Sequence, residues 1–180
     1  MTHYSSVAVF CGSSMGARPV WEQAAIELGR GLAQRHTRLV YGGGSIGLMG
    51  SVAHAALDAG GDVIGIMPEF LMHREKAHPD LAALELTTSM HSRKLRMFDL
   101  SDAFISFPGG LGTLDETFEI LTWKQLGLHD KPIIICDVHG SARALLASIE
   151  ASIEMGFARP EIRNLYEVVD GVTDLLHRLS

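Results

Sequence analysis

The chain has 180 residues, 47% of them hydrophobic, a net charge of −6 and a mean hydropathy of +0.17. That length and apolar content supply one substantial core, so a single nucleotide-binding domain over residues 1–180 is expected. The acidic balance argues against nucleic acid or an anionic membrane surface as the main partner, and no apolar run approaches the ~20 residues that span a bilayer.

The N-terminus, "MTHYSSVAVFCGSS", has no basic leader, which fits a cytoplasmic chain. Cys11 and Cys136 each close an apolar run and lack CxxC spacing, so both read as reduced core thiols. Short runs rich in Val, Ile and Phe then alternate with stretches of helical period. Strands are expected at 7–11, 38–41, 63–67, 103–107, 133–136 and 166–169, several of them apolar at every residue as central parallel strands are. Between the first two, "RPVWEQAAIELGRGLAQRH" puts Trp21, Ala25, Leu28 and Leu32 on one stripe of an amphipathic helix. The pattern predicts an α/β fold: a doubly wound, Rossmann-like, mostly parallel sheet with helices on both faces. One segment, "PEFLMHREKAHPDLAALELTTSMHSRK", fits no crossover helix and reads as a long polar insertion of functional kind.

Ligands of such sheets sit beyond the carboxyl ends of the strands. Here those ends carry "CGSSMG", "YGGGSIGLMG" and "PGGLGT". Glycines let backbone N–H groups approach a bound oxygen, and a following helix adds its unpaired amides, so the three loops point to a phosphate or nucleotide site in which Ser13, Gly43 and Gly44 make contacts. None is a P-loop. Gly42, Gly44 and Gly47 satisfy GxGxxG, yet "VIGIMP" ends without the acid that holds an adenosine ribose, which disfavours a dinucleotide. Gly43, Ser45 and Gly47 also satisfy GxSxG, for which Asp137 with His139 or His177 would complete a hydrolase triad; the extra glycines fit Ser45 better to an anion cradle. The nine histidines show no metal spacing, and no metal is expected.

In "ISFPGGLGTLDETFEIL", Thr113 and Glu116 stand in T-x-x-E spacing, and a capping box explains both without any ligand. It leaves "SMHSRKLRM" unexplained. Arg93, Lys94 and Arg96 can form a solvated basic face, or Arg93 and Lys94 can be the cations that keep a phosphate and a carboxylate together at one helix end.

"GGGSIGLMG", "MHSRK" and "PGGLGTLDETFEILTWKQLGLHDKPI", in that order, resemble the LONELY GUY-type cytokinin riboside 5′-monophosphate phosphoribohydrolases, with motifs GGGxxGLMG, MHxRK and PGGxGTxxE. Such sequences are often labelled lysine decarboxylases, but no lysine here is marked as a pyridoxal-phosphate anchor. The resemblance implies hydrolysis of the N-glycosidic bond of an adenine nucleotide to free base and ribose 5-phosphate, by a homodimer with no cofactor. It makes Arg93 and Glu116 the catalytic pair. It makes Glu75, Lys94, Gly109, Gly110, Leu111, Gly112, Thr113, Leu114, Asp115 and Thr122 substrate contacts, with Ser92 standing where many relatives have Glu or Gln. A carboxylate near C1′ suits the oxocarbenium-like state left by the departing base, whereas an arginine is a poor proton donor. A non-catalytic nucleotide or molybdenum-cofactor carrier on the same fold is the alternative. "FEILTWKQLGL" supplies an apolar segment for the dimer, although Trp123 and Leu126 serve equally well as core.

Overall fold

The computed structural model describes residues 4–179, without the side chains of His73 and Glu75. In chain order it builds β1 (Ser6–Phe10), α1 (Pro19–Gln34), β2 (Arg38–Tyr41), α2 (Gly47–Asp58), β3 (Val63–Pro68), the short α3 (Met72–Glu75) and β4 (Ala83–Thr87). There follow α4 (Met90–Asp99), β5 (Ala103–Ser106), α5 (Leu111–Gln125), β6 (Ile133–Asp137), α6 (Arg143–Glu154), β7 (Glu167–Asp170) and α7 (Gly171–Arg178). The seven strands form one sheet in the order β4-β3-β2-β1-β5-β6-β7, parallel at every pairing. The fold is therefore doubly wound α/β, as the apolar runs predict.

Burial explains the strands. Every residue of β1 and β5 is buried, since these central strands are covered on both faces. One face packs Ala25, Leu28 and Leu32 of α1, Val52 and Ala53 of α2 and Leu175 of α7 against the sheet; the other packs Met97 of α4, Ile120 and Leu121 of α5 and Leu145 and Ile149 of α6. The predicted stripe of α1 is this inner face, with Trp21 packed at its margin. Both cysteines are free and buried. Burial, helped by nearby acids such as Asp137, pushes the Cys136 thiol up to about 12.

Within the supposed polar insertion lies a strand the pattern does not predict. β4 is an edge strand with no fully buried residue, so it carries no continuous apolar run. It pairs with β3 from Ile64↔Ala83 to Pro68↔Thr87. From that edge the chain must return to the centre of the sheet to begin β5, and α4 makes the crossing beneath β3. β1 feeds a helix on one face and β5 a helix on the other, so the topological switch point lies between these neighbours.

Candidate functional site

A cleft of about 320 Å³ opens at this switch point, lined by residues 12–16 after β1, Pro108, Gly109 and Gly110 after β5, and Trp21, Leu48 and Ser141. The two loops are tied together: Gly12 donates its N–H to the Pro108 carbonyl at 3.0 Å, and Phe107 donates to Phe10 at 2.9 Å. Trp21 underpins the first loop. Its indole N–H donates to the Val138 carbonyl at 3.2 Å, and its ring lies where a side chain on Gly16 would have to go.

The N-cap of α5 is Gly110, not Thr113, and no side chain of the described residues caps the helix. The capping box expected at Thr113 and Glu116 is therefore absent: both residues sit inside the helix, one and nearly two turns from its start. The first amides of α5 have no intrahelical acceptor. Beside them the Thr113 hydroxyl, on a residue only 5% exposed, has no hydrogen-bond partner among the described residues. A buried hydroxyl left unpaired costs about 1–3 kcal/mol, and this one borders a small void of about 30 Å³ under Pro108 and Gly109. Gly109 has to be glycine because a Cβ there would collide with the same hydroxyl, whereas Gly110 and Gly112 face open space and Leu111 is 86% exposed. The start of α5 thus presents amide donors without intrahelical acceptors beside two glycines that face open space.

Arg93 is not on a solvated face. It is 4% exposed, its Nε donates to the Ile66 carbonyl at 3.0 Å, its Nη2 donates to the Gly42 carbonyl at 2.9 Å, and Met90 Sδ lies 3.9 Å from Nη1. The α4 crossover brings it under the ends of β2 and β3. Ser89 starts that helix with a capping box whose partner is Ser92: the Ser92 N–H donates to Ser89 Oγ and the Ser89 N–H to Ser92 Oγ. Ser92 thus does locally what a glutamate or glutamine does at this position of a capping box. Glu116 is half-buried, and its negative charge and the positive charge of Arg93 both reach the Cys11 thiol at the end of β1. Burial first, then Glu116, raise that thiol far above its ordinary pKa, with Arg93 opposing, so Cys11 stays a neutral thiol beside the two charges.

Lys94 bridges α4 and α5, its Nζ 3.0 Å from Asp115 and 2.8 Å from Glu119. Burial pulls its pKa down, but the hydrogen bonds and charges of Glu119 and Asp115 outweigh this and hold it above its usual value. A lysine held protonated does not fit the aldehyde-anchoring role of pyridoxal chemistry, which needs a depressed pKa. Arg96 pairs with Glu85 near the surface.

The β2 loop behaves otherwise. Ser45 donates its N–H to the Lys76 carbonyl at 2.8 Å, the Gly43 carbonyl accepts from His78 N–H at 3.0 Å, and Gly44 forms a bridge with Ala77. Gly42 leaves room for the Arg93 guanidinium, and Gly47, at φ +64°, lets the backbone of Ser13 pass. At the N-terminus of α2, which has no side-chain cap among the described residues, Met49 donates its N–H to the Gly12 carbonyl at 3.1 Å. Ser13 lines the cleft, and Gly43 and Gly44 are not among the residues that line it. Nor does the sheet assemble the hydrolase triad: Ser45 follows β2 and Asp137 ends β6, three strand positions away or about 14 Å. Asp137 instead accepts the Ala142 N–H at the start of α6. Thr122 is exposed on α5, bonded to the Phe118 carbonyl and about 14 Å along the helix from Thr113, so the structure does not bring it to the start of α5. The Glu75 side chain lies outside the described residues. Trp21, Leu48 and Ser141 escape the loop-by-loop reading because each comes from an element whose pattern marks it as core or turn; Gly16 ahead of Trp21 is the one local hint.

A family model described as "Possible lysine decarboxylase" matches residues 49–179. The chain is 46% identical over 179 residues to the probable cytokinin riboside 5′-monophosphate phosphoribohydrolase LOG6 of Arabidopsis thaliana, covering 99% of this chain and 89% of that protein. It is 44% identical over 177 residues to the phosphoribohydrolase LOG3 of the same plant, covering 98% of this chain and 82% of the relative. Among solved structures, the molybdenum cofactor binding protein of Rippkaea orientalis superimposes with a TM-score of 0.73 over 99% of this chain and 97% of its own, at 23% identity. At that identity the likeness is one of fold alone.

Proposed function

We propose that this chain, which belongs to the LONELY GUY-type phosphoribohydrolase family, hydrolyses the N-glycosidic bond of adenine-type nucleoside 5′-monophosphates, releasing free base and ribose 5-phosphate. The observation that carries the reading is the start of α5, uncapped by any side chain of the described residues, with the unpartnered Thr113 hydroxyl beside it at the switch point of the sheet. The 5′-phosphate takes the first amides of α5 and the Thr113 hydroxyl, with Ser13 and Gly109 to Asp115 around it. Lys94 neutralises Asp115, so the phosphate meets no bare carboxylate there.

Anchored by its phosphate, the nucleotide presents C1′ to Glu116. As the bond to the base breaks, positive charge grows on the ribose; the Glu116 carboxylate stabilises it and orients or deprotonates the attacking water. Arg93, fixed by two carbonyls, is a permanent cation in this catalytic pair and cannot serve as the proton donor to the base. Glu75 is a further substrate contact in this proposal.

A homodimer is part of the proposal. Leu95 on α4 and Phe118 on α5 are exposed, as are Leu126, at 67%, and Leu128 beyond it, whereas Trp123 packs edge-on against Phe98 and belongs to the fold. No helix of the described residues is long and apolar enough to cross a membrane, and two free thiols suit a cytoplasmic location. A molybdenum-cofactor carrier is supported by the shared fold alone.

Incubation with AMP, with its N6-isopentenyl derivative and with adenosine, followed by chromatography of the free base, tests the reading. Release from both nucleotides and little from adenosine is expected, because binding energy from the remote phosphate supports the chemistry. Nucleotide that binds and is recovered intact turns the reading to the carrier.

A further inference from the structure

A histidine pair lies behind the β2 loop. His78 is 3% exposed, and its Nε2 is 3.0 Å from Nδ1 of His54, which reaches it from α2. The other ring nitrogen of His78 accepts the Asp80 N–H at 3.3 Å. That bond fixes the tautomer: His78 carries its hydrogen on Nε2 and donates it to His54 Nδ1. An added proton has no place in this chain of bonds. On His78 it would face the Asp80 N–H, and on His54 Nδ1 it would face the His78 N–H.

The pair sits at one end of a splint. His78 N–H donates to Gly43, Lys76 accepts from Ser45, and Tyr41 OH donates to Gly44 at 3.2 Å, so residues 76–78 clamp the loop whose first carbonyl, Gly42, holds Arg93. We propose that His54 and His78 are positioning residues for the reaction: as a neutral hydrogen-bonded pair they hold residues 76–78 against the β2 loop and thereby fix Arg93, and protonation of the pair releases it. The proposal rests on the hydrolase reading for its effect on turnover, but not for the latch itself.

The surroundings set the direction. Burial, then His54, lower the pKa of His78 from 6.5, against the opposing charges of Asp80 and of Asp58 on α2. Glu22 and Arg30 of α1 line the open groove in which His54 stands, so solvent protons reach the pair. With the folded value below the unfolded one, the stabilisation is fully present above pH 6.5 and is lost as pH falls through the folded pKa.

The test compares wild type, His54→Gln/His78→Asn and His54→Lys at about pH 7.5 and about pH 5.5, the range in which histidines titrate. In the double variant Asn accepts the Asp80 N–H and Gln bonds to Asn, and neither titrates. Three quantities are read: kcat on AMP, KM on AMP, and hydrogen-exchange protection of the backbone amides at positions 45 and 78. In wild type, kcat and protection are each expected to drop about tenfold or more on acidification, with KM little changed. In the double variant the acid-to-neutral ratio of both approaches one, and in His54→Lys, at an exposed position that tolerates substitution, protection is already low at neutral pH. Loss of protection in wild type without any hydrolysis keeps the latch and overturns the enzyme reading. A folded double variant with the wild-type acid response, or a His54→Lys protein with wild-type protection at neutral pH, overturns the latch; the second result decides even where the double variant does not fold.

Discussion

Two glycine loops, at the ends of the strands that flank β1, use the same residue for opposite purposes. After β2, glycine makes room for the protein: Gly42 admits the Arg93 guanidinium, Gly47 admits the Ser13 backbone, the Ser45 N–H donates to Lys76 and the Gly43 carbonyl accepts from His78. After β5, Gly110 and Gly112 border open space, and the buried Thr113 hydroxyl lacks a hydrogen-bond partner among the described residues. Glycine content alone does not mark a ligand site. What marks one is hydrogen-bonding capacity that the chain leaves unspent.

The largest expected effect tests the β5 loop through its helix. Glu116→Gln keeps size and helix propensity and removes the charge; since Glu116 is no capping partner, the fold should persist while kcat on AMP falls by about a hundredfold or more, the scale of one electrostatic stabiliser. A melting curve and single-turnover rates check it, and wild-type turnover in the folded variant returns Glu116 to an ordinary helix surface residue.

Gly42→Ala probes the protein-facing loop. The new methyl must displace the Arg93 guanidinium and also approaches Met49 Sδ within 2.9 Å, so both turnover and stability should fall, the latter by about 1–3 kcal/mol as for overpacking. The discriminating measurement is a double-mutant cycle with Arg93→Ala. If Gly42 acts through Arg93, the two losses in kcat are strongly non-additive; independent, additive losses would break the comparison.

Thr113→Val gives the smallest change and separates the loops most sharply. Replacing an unpaired buried hydroxyl by a methyl of similar shape should leave the melting temperature unchanged or raised, yet weaken AMP binding by about tenfold, the worth of one hydrogen bond to a charged group. Calorimetric titration with AMP reads the second effect. A variant that melts lower and binds AMP normally would mean that the hydroxyl serves the fold.

The local grammar of the chain determined six strand positions, the inner stripe of α1 and the doubly wound class, because the burial of continuous apolar runs and of a 3.6-residue stripe is written into neighbouring residues. It also pointed to the glycine-bearing strand ends as the place for a ligand. It did not reveal β4, whose edge position leaves it half-exposed and without an apolar run, and its T-x-x-E pattern suggested a cap that the helix start at Gly110 rules out. Tertiary structure alone decided which loop faces the cleft and which faces the protein. Arg93 finds its acceptors 27 and 51 residues away along the chain, and His78 meets His54 across 24; partners so distant are chosen by where a crossover helix and an edge strand come to rest, and no short-range periodicity encodes that.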